Sequence, residues 1–493
     1  MIPAPTPLSA WRDWGVDASL MLALVLLAGA VGVLASVKPF WAAAVVLGGA
    51  IVLLIGANVT VLPLFLVLTM FIESVSLGPG FRVGRLAAVL AIAVVAYHAL
   101  GRRRLDLKPT PLVLAVGGYG FWILLSVYWA SDSGLVYRTT FQFLLAAAYL
   151  LAFAVLVRTR EQVVATFVTL ALGSLVFGLT AFVAYVTSSG SFFESNLGAT
   201  GLQGDHVYFA VYQVLALPAA LALAALERSS VRRGFYYGVV GVIAVSIVAS
   251  LSRTGLVMLA AVIAATLLLP FRIFFRSAAQ KLGYAFTLGG AAVVAAIAGL
   301  TPFINRAQTI FNFSSSSGDR GSGRIDLWRA ALHGFRDHPW FGLGAGNFQA
   351  KALDLLQTTP GVNTAASYVA PGRVVHNAYL EALTELGAVG LALFLLILFF
   401  TVRSYLGTFR RARAAGDRAI ESFSIALIVA VFGFAISMLF ASNELGKPLW
   451  IFIGLALALE RIPAVGVEPR PRSVPRTAPA APELAGPIPS TLE

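Results

Sequence analysis

The stretch His376-Asn377-Ala-Tyr-Leu-Glu381-Ala-Leu-Thr-Glu385-Leu-Gly387-Ala-Val-Gly390 runs without a break into Leu-Ala-Leu-Phe-Leu-Leu-Ile-Leu-Phe-Phe400. Residues 377 to 402 read as one membrane-spanning helix, because about 20 apolar residues are enough to cross roughly 30 Å of hydrocarbon. A histidine therefore stands at the first turn of a span, where water meets lipid. Imidazole is the side chain whose unperturbed pKa lies nearest neutrality, so at that position it can take and return a proton.

Outward from this segment the same texture covers most of the chain. Of the 493 residues 59% are apolar and 12% charged, and the mean hydropathy is +0.86. This composition predicts an all-α, polytopic integral membrane protein. Candidate spans fall at 18–36, 40–56, 59–73, 86–100, 111–129, 139–157, 162–187, 207–226, 234–251, 254–274, 282–301, 377–402, 421–441 and 448–460. No charge divides Phe40 from Ile72, and only Gly56, Asn58 and Pro63 suggest a break there, so the expected number is 12 to 14. The first run reads as a retained span, with cleavage after Ala35 as the alternative.

Four regions follow: an N-terminal transmembrane bundle over 1–301, a large polar loop over 302–376, C-terminal spans over 377–461, and a tail over 462–493. The tail is proline-rich with few large apolar residues, so it is expected to be disordered and carries no chemistry. In the loop, Ser314 to Gly323 is serine- and glycine-rich and reads as a hinge or lid. Ile325, Trp328, Ala331, Leu332 and Phe335 then recur at helical spacing, which predicts an amphipathic helix on the membrane surface, ended by Pro339. Gly342, Gly344 and Gly346 predict a turn rather than a dinucleotide fingerprint, because no strand precedes them.

The net charge of +13 is distributed in a way that argues for orientation and against nucleic-acid binding. With the N-terminus inside, 22 of the 35 Lys and Arg residues fall in cytoplasmic segments, and seven of the remaining 13 belong to the one long loop. That loop is then placed on the outer face of the cytoplasmic (inner) membrane. The absence of cysteine removes disulfides, thiolate metal sites and cysteine nucleophiles.

On the outer face this topology gathers Arg82, Arg85, Arg138, Arg253, Arg320, Arg324, Arg373 and His376. Arg253, in Ser252-Arg-Thr-Gly255, joins two apolar runs with almost no loop, where an unpaired arginine is costly. It reads either as an interfacial arginine reaching the headgroups or as a phosphate site. Arg320 and Arg324 lie in Asp319-Arg-Gly-Ser-Gly-Arg324, where guanidinium groups and glycines suit a pyrophosphate, or else are solvated loop charges. Glu381 and Glu385 lie one turn apart on the span after His376, and structural pairing and function are both open for them. His206 follows Asp205 at the start of another span, while His98, His333 and His338 are weaker candidates. No Asp-x-Asp or His-x-x-x-His occurs on the outer face, so no metal or other cofactor is expected.

The pattern His376-Asn377, nine residues, Gly387, two residues, Gly390 resembles the periplasmic signature of O-antigen ligases and the related polymerases of lipid-linked glycans. The resemblance covers mainly residues 250 to 400. It implies a lipid-dependent (GT-C-like) glycosyltransferase fold, metal independence and inversion at the anomeric carbon. It also implies a polyprenyl (undecaprenyl) pyrophosphate glycan as donor and a glycan, lipid or protein hydroxyl as acceptor. By this likeness His376 is the general base, and Arg324 and Arg85 stand where the family has its outer arginines. The placement of the charges adds Arg253 to Arg324 as catalytic, Arg253 and Arg320 to Arg324 and Arg85 as binding the pyrophosphate, and Asn377 and Glu381 as orienting the acceptor. The family has leucine where Trp328 follows Arg324 here. A site on the outer face has no access to cytosolic nucleotide sugars, which agrees with a donor already in the membrane. The contrasting expectation is a transporter or flippase for a lipid-linked glycan, which needs the arginines but not His376. Ionisable residues within spans cluster toward the outer half, which favours the enzyme.

Overall fold

Basic turns and glycine-bearing loops cut the chain into helices that run back and forth across one apolar slab. The computed structural model describes residues 61–73, 75–78, 81–102, 108–187, 205–269, 273–297, 323–362 and 369–463. The expected spans 18–36 and 40–56 lie outside the described residues, as do Arg320 and nearly all of the expected hinge and C-terminal tail.

In chain order the helices are α1 (Leu62–Met70), α2 (Val83–Arg102), α3 (Pro111–Leu125), α4 (Ser133–Leu156), α5 (Arg160–Thr187), α6 (His206–Leu226) and α7 (Ser230–Ala249). They continue as α8 (Arg253–Leu268), α9 (Ala278–Ile297), α10 (Arg324–Asp337), α11 (Asn347–Thr358), α12 (Ala378–Ala415), α13 (Arg418–Ser437) and α14 (Lys447–Arg461). A small antiparallel hairpin, β1 (Ser76–Gly78) and β2 (Phe81–Arg82), precedes α2. Seven of these helices (α4, α5, α6, α7, α12, α13 and α3 with its 3-10 extension) are long and apolar enough to cross a membrane. Two shorter apolar stretches, Val83–Tyr97 and Arg253–Leu268, add to them. The protein is an all-helical, multi-pass membrane protein.

The core sits around α6. Its run from Phe209 to Ala225 is buried on every side, as befits a helix that is apolar all round. It packs on α5, α7, α8 and α13. Pro218 is tolerated inside it because neighbouring helices in an apolar slab shelter the freed backbone groups. At one end Tyr212 donates to Glu73 (2.9 Å), whose other carboxylate oxygen lies 3.4 Å from the Lys447 ammonium. These contacts tie α1, α6 and α14 together at the end of the bundle where α12 begins.

α12 carries the sequence that opened the analysis, and it is not straight. Gly387 has φ +69, and the helix breaks there. A Cβ at Gly387 would lie 2.1 Å from the Trp340 carbonyl oxygen, so only glycine lets the two backbones meet. The break frees carbonyls that an unbroken helix would use itself, and the loop after α10 together with Trp122 of α3 supplies donors for them. Leu343 N donates to Thr384 O (2.9 Å), Gly344 N to Glu385 O (2.8 Å), and the Trp122 indole to Leu386 O (2.9 Å). Gly342, Gly344 and Gly346 all have positive φ, as the turn they form requires. Their use is to dock one backbone against another.

The expected amphipathic helix is α10, ending at Asp337. Leu327, Ala330 and Ala331 are buried, while Leu332 is exposed. The buried face packs against α11 and α12 and joins Phe348, Leu356 and Val375 in a small apolar core of its own. Of the expected stripe Ala331 is buried, Ile325, Trp328 and Phe335 are half-buried and Leu332 is exposed, so the face that packs on the protein lies beside the expected stripe rather than on it. α11 was not anticipated at all.

Candidate functional site

A cavity of about 310 Å³ opens where several helices begin. α6 starts at His206 behind Asp205, whose carboxylate accepts from Val207 N (2.7 Å) and Tyr208 N (3.1 Å). α8 starts at Arg253 behind Ser252, whose hydroxyl accepts from Gly255 N (3.1 Å). α10 starts at Arg324 behind Gly323, which has φ +75. α12 follows His376 and is capped by Asn377, whose side-chain oxygen accepts from Tyr379 N and Leu380 N, both at 3.0 Å. Four helix N-termini thus meet at one wall, and each brings partial positive charge. Serine, aspartate and asparagine at these positions are what a helix start selects.

Arg253, Arg324, His376 and His206 all line this cavity, together with Asp205, Tyr208 and Ser442. Three catalytic candidates spread over more than 120 positions of sequence therefore share one small volume. Against the two arginines stands one carboxylate, Asp205, so the walls carry a net positive charge before helix ends are considered. Arg85 on α2 is partly buried and is not among the lining residues, so the structure does not bring it to this site.

Two residues other than glycine have positive φ among those described, Leu251 (+52) and His376 (+56), and both line the cavity. Such conformations cost about 1–3 kcal/mol each and persist only where the surroundings fix them. At His376 the fixing contacts are visible. Its backbone N–H donates to the Ser442 hydroxyl (3.1 Å), and Ala378 N donates to Met438 O (2.8 Å). The entry of α12 is thereby fastened to the loop between α13 and α14. The buried Glu381 carboxylate lies beside the Ser442 side chain, so Glu381 stands one residue behind the cavity wall. Tyr208 reaches the same loop through its hydroxyl, which donates to Ser442 O (3.3 Å).

The imidazole of His376 is held below the usual histidine pKa, first by burial and then by the Arg324 charge, with Asp205 opposing. At neutral pH it is therefore neutral and has a lone pair to offer. A neutral base beside two guanidinium groups can accept a proton while a phosphate is held close by.

Glu385 has a different use. Its carboxylate accepts from Gly346 N (2.6 Å) and Phe348 N (3.1 Å), capping the start of α11. The sequence left structure and function open for this residue, and these contacts are structural. His333 pairs with Thr359 and Asp337 beside α10, away from the cavity.

Sequence reasoning missed Ser442 and Tyr208. The signal for Ser442 was a polar triplet, Ser442-Asn443-Glu444, between two apolar runs. Burial pushes the Glu444 carboxyl up to about 7. For Tyr208 the signal was its place within the first turn after the Asp205 cap.

Residues 238–395 match the family model described as O-antigen ligase. That stretch runs from α7 into α12 and contains Arg253, Arg324, His376, Asn377 and Glu381. Asp205, Tyr208 and Ser442 fall outside it, so the cavity is completed by parts of the chain beyond the matched region. No curated protein matches the chain. The match supports an O-antigen ligase-like family, in line with the His376 to Gly390 pattern.

Proposed function

We propose that this protein is a ligase-type glycosyltransferase that moves a glycan from a polyprenyl pyrophosphate to an acceptor hydroxyl on the outer face of the cytoplasmic membrane. The observation that carries the reading is the constrained, neutral His376 in one cavity with Arg253 and Arg324. In the reaction the acceptor oxygen attacks the anomeric carbon of the donor and its proton passes to His376. The bond from that carbon to the pyrophosphate oxygen breaks, and the oxygen leaves with the electron pair. Arg253 and Arg324, with the converging helix N-termini, stabilise the charge that develops there. Attack opposite the leaving group inverts the anomeric centre.

Asn377 serves by capping α12 and so holding His376 at the cavity. Glu381 acts through Ser442, which itself anchors the His376 backbone, and is a positioning residue. The route for the lipid lies among the spans next to the cavity, with the pyrophosphate at the interface. A polymerase would use the same machinery with a second glycan as acceptor, and a flippase would use the arginines alone.

The test is incubation of purified protein with a polyprenyl-pyrophosphate glycan, alone and then with lipid A core or a protein acceptor, read by mass spectrometry. Transfer to an added acceptor is expected. Lengthened lipid-linked glycan without acceptor reassigns the protein to the polymerases. An intact donor under every condition contradicts the enzyme reading.

A further inference from the structure

A second cavity, of about 700 Å³, lies at the far end of α12. Lys108, Arg403, Arg411 and Arg461 contribute to its lining, with Glu460 as the carboxylate among them. Pro111 and Leu112 at the start of α3, Phe400 on α12 and Leu457 on α14 give it an apolar wall, and the hydroxyl residues Thr110, Ser404 and Thr408 complete the lining. From Ala378 to Phe400 the two parts of α12, broken at Gly387, span at most roughly 33 Å at 1.5 Å per residue, so the cavities lie at most about one bilayer apart. The sequence assigns all four cations to the cytoplasmic side, and the fold puts them together there.

Two helix ends meet this cavity and oppose each other. The N-terminus of α3, capped by Thr110 (Val113 N to Oγ1, 3.3 Å), favours an anion. The C-terminus of α14 disfavours one, but Arg411 already answers it. Its guanidinium donates to Glu460 O (3.2 Å), Leu459 O (3.4 Å) and the Thr408 hydroxyl (3.2 Å). Lys108 and Arg403 are exposed and stand on facing sides, one before α3 and one on α12. Four cations against one carboxylate leave the balance strongly positive.

We propose that this cavity binds the phosphate headgroup of an anionic phospholipid from the cytoplasmic leaflet. Phosphate chemistry follows from the arginines and lysine. The lipid source follows from the apolar wall continuous with them and from the position between spans at a membrane face, where basic pockets take lipid headgroups. The assignment rests on the membrane reading of the fold and is independent of the glycosyltransferase reading. Bound there, the lipid would bridge α3, α12 and α14 at the end of the bundle opposite the reaction.

The experiment is native mass spectrometry of full-length protein released from nanodiscs of phosphatidylcholine containing phosphatidylglycerol or cardiolipin. Three proteins are compared: wild type, Lys108→Gln/Arg403→Gln, and Gly407→Leu. Gly407 lines the cavity, and a Cβ there meets nothing within 4 Å, so leucine intrudes on the space while keeping every charge. Retained anionic lipid in wild type, at least about tenfold weaker in both variants, is the expected result. Equal retention in all three overturns the proposal. Displacement of the lipid by added inorganic phosphate also overturns it, because a free anion would then be the occupant. Melting curves of the three proteins in detergent establish that the variants are folded, and transfer activity of wild type need not be known.

Discussion

The two cavities at the ends of α12 are built from similar parts. Each has arginines on its walls, each meets helix ends, and each lies where a bilayer face would be. They differ in that the cavity before α12 also holds His376, in a strained backbone conformation, with a pKa pressed below the ordinary histidine value. The other cavity has no histidine lining it and is more than twice as large. Positive charge alone suffices to hold a phosphate. Chemistry needs in addition a base whose position is fixed and whose lone pair is free at working pH. The strain at His376 is informative for that reason, because the fold maintains it with contacts from the α13–α14 loop.

The comparison can be sharpened by stripping the arginines from the first cavity. Arg253→Ala combined with Arg324→Ala leaves the base without its anion site. Donor affinity, measured by lipid-linked glycan binding, should fall by about a hundredfold or more, since each charged hydrogen-bonding group contributes about 1.5–3 kcal/mol. Retention of affinity would mean that the helix N-termini alone hold the donor. A milder change, Arg253→Lys, keeps the charge and removes the planar fork. About a tenfold loss in kcat/KM is expected, and an unchanged value would return Arg253 to the headgroup-facing reading.

Smaller effects test how His376 is held. Asn377→Ala removes the cap of α12, so stability should drop by about 1 kcal/mol in a denaturation assay. The rate should fall with little change in KM, because the donor contacts remain. The smallest effect is on pH dependence. His376 works unprotonated, so transfer should decline as pH falls through a value below the usual 6.5. Arg324→Gln takes away a charge that lowers this pKa, so the acidic limb should move to higher pH. A limb that stays in place would detach Arg324 from His376.

Much of this was legible in the sequence. The segments expected at 111–129, 139–157, 162–187 and 207–226 correspond to α3 to α6 within a few residues, because long apolar runs bounded by caps and charges leave few alternatives. His376 and Arg253 could be picked out by placing titratable groups at the ends of spans, and Arg324 by its place among glycines in the long loop, and all three line one cavity. What stayed hidden depends on contacts between distant positions. Ser442 lies 66 residues beyond His376, and nothing local in the pattern announces their hydrogen bond. The break at Gly387 is invisible to hydropathy because the apolar run continues through it. α11 was overlooked because its twelve residues are short and mixed in character, and its stability comes from Glu385 capping and from packing on α10. Arg85 looked equivalent to the other outer arginines in sequence, and only the packing of α2 separates it from them.

The most direct measurement is single-turnover transfer by His376→Ala with donor binding followed in the same sample. That variant leaves the first cavity its arginines and His206 but removes the base held in the strained backbone conformation. The expected result is near-normal donor binding with transfer reduced by about 10²–10⁴-fold. Transfer at the wild-type rate would contradict the account, since the strained histidine would then have no part in the reaction.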